Sequence, residues 1–128
     1  MTLREWIAAY GRAWEAGDVE AAVALFTEDA VYRSHPFRPP HVGHDGVRAY
    51  WAWATSGQEG VSVVFGEPVA AGRHAAVEWW TRMRQEGDEV TLPGCLVLRF
   101  AADGRCEELR EYWHLEPGLV EPPPGWGA

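Results

Sequence analysis

The 128 residues predict an α+β fold in which three N-terminal helices pack in a strongly curved, mainly antiparallel sheet. Three observations carry that expectation. Apolar residues recur at helical spacing as far as about Thr55, the period changes to two from Val61 onward, and tight-turn residues punctuate the second half. Three helices followed by a meander of long strands is the pattern of a layered α+β structure and not of a parallel crossover fold.

The first helix opens on Thr2-Leu3-Arg4-Glu5, a capping box with Thr2 as cap and Glu5 three residues later. Leu3, Trp6, Tyr10 and Trp14 then form its apolar stripe, with Ile7 beside them. Ala16-Gly17-Asp18 breaks it, and Asp18 caps a second helix with Val19, Ala22, Val23 and Phe26 on one face. A short strand follows from Ala30 to Arg33. Pro36, Pro39 and Pro40 keep the next stretch in loop, because each removes a backbone donor and fixes φ. His44-Asp45-Gly46 starts a third helix that runs to about Thr55 and buries Val47, Tyr50 and Trp51.

Strands are expected from Val61 to Pro68 and from Arg73 to Arg84, around a turn near Gly72. Gln85-Glu86-Gly87-Asp88 makes a hairpin into a strand from Val90 to Phe100, and Asp103-Gly104 turns the chain into a last strand from Arg105 to Leu115. Residues 1–116 read as one domain and 117–128 as a tail, extended or loose, with Pro117, Pro122, Pro123 and Pro124.

The formal charge of -8 and the absence of lysine argue against phosphate-backbone partners, so no nucleic-acid binding is expected. Cys95 and Cys106 form no paired-cysteine motif, no metal site is indicated, and no apolar stretch reaches membrane-spanning length. The N-terminus lacks the apolar core of a signal peptide, which makes a cytoplasmic location the expectation. No nucleophile elbow, phosphate loop or dinucleotide fingerprint is present, and no cofactor is expected.

A curved sheet over helices leaves a conical interior, and alternation decides what enters it. Leu92, Gly94, Leu96, Leu98 and Phe100 share the more apolar face of their strand and are placed inward, as are Glu107, Leu109, Glu111 and Trp113 on the last strand. Gly94 leaves room there for a ligand or another side chain. Placing Ala76, Glu78, Trp80 and Arg82 inward brings Glu78, Arg82 and Glu111 to the cavity, as a structural ion pair or as a catalytic set. It leaves Val77, Trp79, Thr81 and Met83 on the outer face, extended by Cys95 and Val97, where they suggest a homodimer through that face.

The run Tyr32-Arg33-Ser34-His35-Pro36-Phe37 brings a histidine, a hydroxyl and aromatics to a strand end. His35 is the candidate acid–base group because imidazole titrates near neutrality. Tyr10 is a candidate donor to a developing oxyanion, and Glu111 or Glu78 with Arg82 a water-activating set. Trp14, Tyr32, Phe37, Trp51, Trp80, Leu96 and Trp113 are the expected pocket lining, suited to a small apolar ligand.

The order of these elements, Ala16-Gly17-Asp18 followed by Ala24-Leu25-Phe26, and Leu98-Arg99-Phe100 before Asp103-Gly104 resemble the nuclear-transport-factor-2-like superfamily, in particular its SnoaL-like branch. The resemblance runs from about Leu3 to Leu115 and implies a cone of sheet around three helices. The superfamily holds isomerases, cyclases, hydrolases and proteins without enzymatic activity, so the fold does not choose among them. Tyr10 matches the position of the oxyanion tyrosine of ketosteroid isomerase, whereas the positions of its two carboxyls fall near Ser34 and Leu96. The resemblance therefore implies a cofactor-independent isomerase, cyclase or hydrolase acting by other residues, or a binding or structural protein that shares the pocket.

Overall fold

The computed structural model describes residues 1–128. Helix α1 spans Leu3–Ala16 and opens on the reciprocal Thr2–Glu5 capping box, with Thr2 Oγ1 accepting from Glu5 N–H at 3.1 Å. Gly17 ends it in the left-handed region at φ 64°, where a side chain would be strained. Asp18 caps the short α2, Val19–Val23, and α3 covers Gly43–Thr55. The strands are β1 (Phe26–Arg33), β2 (His41–Val42), β3 (Gln58–Phe65), β4 (Val69–Ala71), β5 (His74–Gln85), β6 (Asp88–Phe100), β7 (Cys106–Trp113) and β8 (Glu116–Pro117).

The sheet corrects the expected architecture. Its main path is β2-β1-β7-β6-β5-β3, with β4 beside β5 and β8 beside β6. β2 and β3 stand at opposite edges and do not meet, so the sheet is open and not the strongly curved cone expected. It is also mixed: β1 pairs parallel to β7, placing Tyr32 beside Leu109, whereas the other pairings are antiparallel. That parallel pair joins segments far apart in the chain, a non-local match that no turn motif announces.

Two element boundaries shift for a physical reason. β1 begins at Phe26, where the aromatic side chain packs edge-on against Trp6 with centroids 5.8 Å apart, so Phe26 belongs to the sheet and not to the α2 stripe. β3 begins at Gln58 because Gln58 and Glu59 already pair with Gln85 and Arg84.

The core lies between the helices and one sheet face, built from Trp6, Ile7 and Tyr10 of α1, Val47 and Trp51 of α3, and Leu96, Leu98 and Leu109 of the sheet. The face of β6 that carries Leu92, Leu96 and Leu98 points inward, as the alternation requires. On β5 the expected face is reversed. Ala75, Val77, Trp79, Thr81 and Met83 are buried, whereas Glu78 is exposed and Trp80 and Arg82 lie on the outer side. Val77, Trp79, Thr81 and Met83, expected in an outer homodimer patch, are therefore core, which leaves only the half-buried Cys95 and Val97 of that patch outside.

The C-terminal tail covers part of the true outer face. Trp80 Nε1–H donates to the Val120 carbonyl at 2.8 Å, Arg82 pairs with Glu121, and Trp126 stands edge-on to Trp80 with centroids 5.8 Å apart. The Gly127 carbonyl accepts from Glu67 N–H at 2.7 Å, so the tail is packed down and not loose. No helix is long and apolar enough to cross a membrane.

Candidate active site

Glu111 is the polar centre of the interior. It sits on the inward side of β7, opposite Leu96 in the β6–β7 register, and only 7% of it is exposed. The Tyr50 hydroxyl of α3 donates to its Oε1 at 3.4 Å. No cation pairs with this carboxylate among the ion pairs of the structure. Burial pushes its pKa up to about 8, against an opposing pull from hydrogen bonds with Tyr50 and Tyr32. At neutral pH Glu111 is thus predominantly a neutral carboxylic acid, able to donate a proton and to take it back.

Three tyrosines from three elements surround it. The Tyr10 hydroxyl of α1 and the Tyr32 hydroxyl of β1 lie 3.1 Å apart, fully buried. Burial, reinforced by the neighbouring Glu111 charge, holds both phenols well above the usual tyrosine range, so both keep their protons. Tyr50 is raised for the same two reasons. Its ring stacks on His41 at 4.5 Å between centroids, and His41 Nε2 lies 3.3 Å from Ser34 Oγ. Burial lowers the pKa of His41.

Two spaces meet at Glu111. An inner cavity of about 50 Å³ is bounded by Tyr10, Tyr32, Tyr50, Trp51 and Glu111. A vestibule of about 330 Å³ is walled by Trp14, Trp53, Trp79, Leu92 and Trp113. Trp14, Tyr50, Gln58 and Glu111 border both, which makes them the waist between the two. Trp14 Nε1–H donates to Gln58 Oε1 at 2.8 Å and fixes one side of that waist. The inner space holds little more than one polar group, whereas the vestibule reaches the lower end of the range for small-ligand pockets, about 300–1,000 Å³.

Of the expected site residues, Tyr10, Trp14, Tyr32, Trp51 and Glu111 come together here, and Trp113 stands at the vestibule rim. Leu96 is fully buried behind Glu111 and borders neither space. Glu78, Arg82 and Trp80 are corrected to the outer side of the sheet, because β5 turns its Trp79 face to the helices. His35 and Phe37 are not in the interior either. They line a neighbouring outer groove of about 460 Å³ that shares Glu111, Trp113 and Leu115 with the vestibule, with Phe37 90% exposed. His35 Nδ1 accepts from Phe37 N–H at 3.1 Å, which braces the turn around Pro36.

Tyr50 and Gln58 border both spaces and His41 stacks on Tyr50, although none of the three carries a sequence signature for this site. Tyr50 reads in sequence as one more apolar helix residue, and its position three after Val47, on the buried side of α3, was the signal available. Gln58 lies in a stretch that looks like a polar linker until its pairing with Gln85 makes it strand.

The SnoaL-like domain family matches residues 6–109. Among solved structures, the epoxide hydrolase/cyclase-like enzyme SalBIII, described for pyran ring formation in the polyether salinomycin, superposes with a TM-score of 0.76. It is 24% identical over 87% of this chain and 89% of that one. A hypothetical protein from Catenulispora acidiphila with a ketosteroid isomerase-like fold, solved in complex with trimethylamine, gives a TM-score of 0.77. It is 22% identical over 87% of this chain and 86% of that one.

Proposed function

The chain belongs to the SnoaL-like domain family, and from that premise we propose that it is a cofactor-independent isomerase or cyclase acting on a small, mainly apolar substrate that bears oxygen. The observation that carries this reading is the buried, unpaired Glu111, whose pKa of about 8 leaves it poised between acid and base near neutrality.

One proton carrier surrounded by phenols suits a reaction in which no net proton is gained or lost. In an isomerisation, ionised Glu111 takes a proton from one carbon and returns it to another, while tyrosine hydroxyls hold the oxygen that gains charge between the two steps. In a cyclisation, neutral Glu111 gives its proton to the departing oxygen and recovers one from the attacking hydroxyl. Either way the Tyr10–Tyr32 hydroxyl pair, with its protons held on by burial, supplies the donor to that oxygen, while Tyr50 donates to Glu111. The similarity in fold to an epoxide hydrolase/cyclase-like enzyme supports the same chemistry. Hydrolysis asks for a second group to activate water, and the Glu78–Arg82 set that suggested one lies on the other face of the sheet. No arginine borders the inner cavity or the vestibule.

Incubation with unsaturated cyclic ketones and hydroxy-epoxides, followed by NMR, tests the proposal. Turnover by the parent chain should fall by about 100-fold or more in Glu111→Gln, with ligand affinity kept within a few-fold. Equal turnover by Glu111→Gln sinks the proposal, and binding without turnover in either chain makes the protein a non-catalytic binder.

A further inference from the structure

Ser34 borders none of the three spaces around Glu111, yet its hydroxyl lies on a chain of hydrogen bonds that ends at that carboxyl. The Tyr50 hydroxyl donates to Glu111 Oε1 at 3.4 Å. Having spent its one hydrogen there, it can only accept from the Ser34 hydroxyl that bonds it. Ser34 has in turn spent its hydrogen on Tyr50, so across the 3.3 Å between its Oγ and His41 Nε2 the imidazole donates. Hydrogen-bond chemistry thus gives the chain one direction: His41 to Ser34, Ser34 to Tyr50, Tyr50 to Glu111. Trp113 Nε1–H donates to the Ser34 carbonyl at 3.2 Å and steadies the middle of the chain.

His41 ends the chain on the edge strand β2, where it is half-buried and therefore partly in contact with water. Its stacking on Tyr50 holds the imidazole in place. Burial lowers its pKa, so it holds a second proton loosely. The vestibule reaches Glu111 past Trp14, Trp53 and Trp113, and neither Ser34 nor His41 borders it. A ring seated in the vestibule would close off that approach to Glu111 and leave the chain through Ser34 in place.

We propose that Ser34 and His41 form a proton relay through which Glu111 exchanges its proton with solvent while the vestibule is filled. The proposal rests on the reading of Glu111 as the acid–base group and adds the route by which that group is reset. A carboxyl with a pKa of about 8 meets substrate in either protonation state, and only one of the two begins a given reaction. In the charging direction His41 Nδ1 takes a proton from water or a buffer acid and Nε2 gives its own to Ser34. Ser34 passes its proton to Tyr50, and Tyr50 passes its proton to the Glu111 carboxylate. One proton has left the solvent, Glu111 is neutral, both hydroxyls are restored, and His41 is neutral with its proton on Nδ1. The hydrogens of the chain now point outward, and the same steps in reverse discharge the carboxyl. Ser34 and His41 act through Tyr50 and do not touch the substrate.

The test uses the whole chain without substrate and follows the His41 ring nitrogens by NMR across the pH range around 8 in which Glu111 ionises. The titratable groups set against the two ends are Tyr10, Tyr32 and Tyr50, which keep their protons through this range. His35, His114 and Glu86 share the outer spaces with Glu111. In the parent chain the His41 Nε2 resonance should inflect near pH 8. Glu111→Gln should abolish the inflection, which assigns it to that carboxyl and not to the other three groups. Ser34→Ala should shrink it by about threefold or more by cutting the chain, and Ser34→Thr, which keeps the hydroxyl, should restore it. Ser34→Gly makes the same cut if the alanine chain fails to fold. No inflection in the parent, an undiminished one in the cut chains, or a neutral His41 with its proton on Nδ1 above that pH each overturns the relay. Isomerisation of an unsaturated cyclic ketone in D₂O adds a readout of transport: deuterium in the product should fall by about threefold or more in Ser34→Ala, and an unchanged content overturns the relay as well. Coupling at His41 with equal turnover by Glu111→Gln keeps the hydrogen-bonded chain and ends the acid–base reading. Lost turnover in Glu111→Gln with no coupling at His41 ends the relay alone.

Discussion

Trp79 and Trp80 are neighbours in sequence and face opposite sides of one strand, and what each meets separates the two faces of the sheet. Trp79, 1% exposed, packs edge-on to Trp14 at 5.1 Å between centroids and helps to wall the vestibule. Trp80 meets the C-terminal tail through Val120 and Trp126. The carboxylates follow the same division. On the outer side charges are paired or solvated, as Arg82 with Glu121 and Arg99 with Glu107, or Glu78 exposed to water. On the inner side Glu111 stands without a cation, and its proton equilibrium moves to the pH range where chemistry takes place. A charge gains chemical leverage here from isolation in an apolar enclosure, and a paired surface charge has none of it.

The sharpest way to break that contrast is to truncate each tryptophan in turn. Trp79→Ala should lower stability by about 3–5 kcal/mol, as removal of a large core side chain does. Trp80→Ala should cost far less, and urea denaturation of both chains under one condition checks the difference.

Next in size is the pH dependence that Glu111 confers. Its folded-state pKa of about 8 lies above the ordinary glutamate value of 4.5, so the native state holds the proton more tightly than the unfolded chain does. That contribution is complete below the unfolded pKa and is lost as pH rises through about 8. Thermal melts of the parent chain should therefore fall across this window, by an amount of order a few kcal/mol, and those of Glu111→Gln should be flatter. A parent profile as flat as that of the variant would place the carboxyl in a wetter site than its burial indicates.

Gly94 offers a smaller test of the inner face. It lies across from Trp79 in the β5–β6 register, and a Cβ added there would fall 2.3 Å from the indole ring. Gly94→Ala should cost about 1–3 kcal/mol through overpacking and shift the Trp79 fluorescence and indole resonances. The smallest effect belongs to the outer face. Glu121→Gln should change stability by less than about 1 kcal/mol, in keeping with an exposed ion pair, and leave ligand binding untouched. A larger loss in chemical denaturation would show that the tail clasps the sheet more firmly than a surface pair can.

Much of the fold is written in local chemistry. Thr2 with Glu5, Asp18, Gly17 and Asp103-Gly104 each announce a cap or a turn whose geometry depends on a few neighbouring residues. The inward face of β6 is also legible, because Leu92, Leu96 and Leu98 contrast with Cys95 and Arg99 across the strand. Tyr10, Trp14, Tyr32, Trp51 and Glu111 could be named as candidates for related reasons: each is an aromatic or ionisable residue at an inward-facing position of its own element.

The face of β5 is different, since alternation there sets Val77, Trp79 and Met83 against Ala76, Trp80 and Arg82 with a tryptophan on both sides. Only the helices packed above and the tail packed below decide which tryptophan is core, and that decision removes Glu78 and Arg82 from the site. The parallel pairing of β1 with β7 is likewise non-local, and it sets Tyr32 beside Leu109, two residues from Glu111. The sequence by itself determined the helices, the turns and the supply of one interior carboxyl with phenols to surround it, because these depend on short-range spacing. Tertiary structure alone decided which carboxyl is isolated, since the dielectric around Glu111 is made by α1, α3, β1 and β7 meeting at one point.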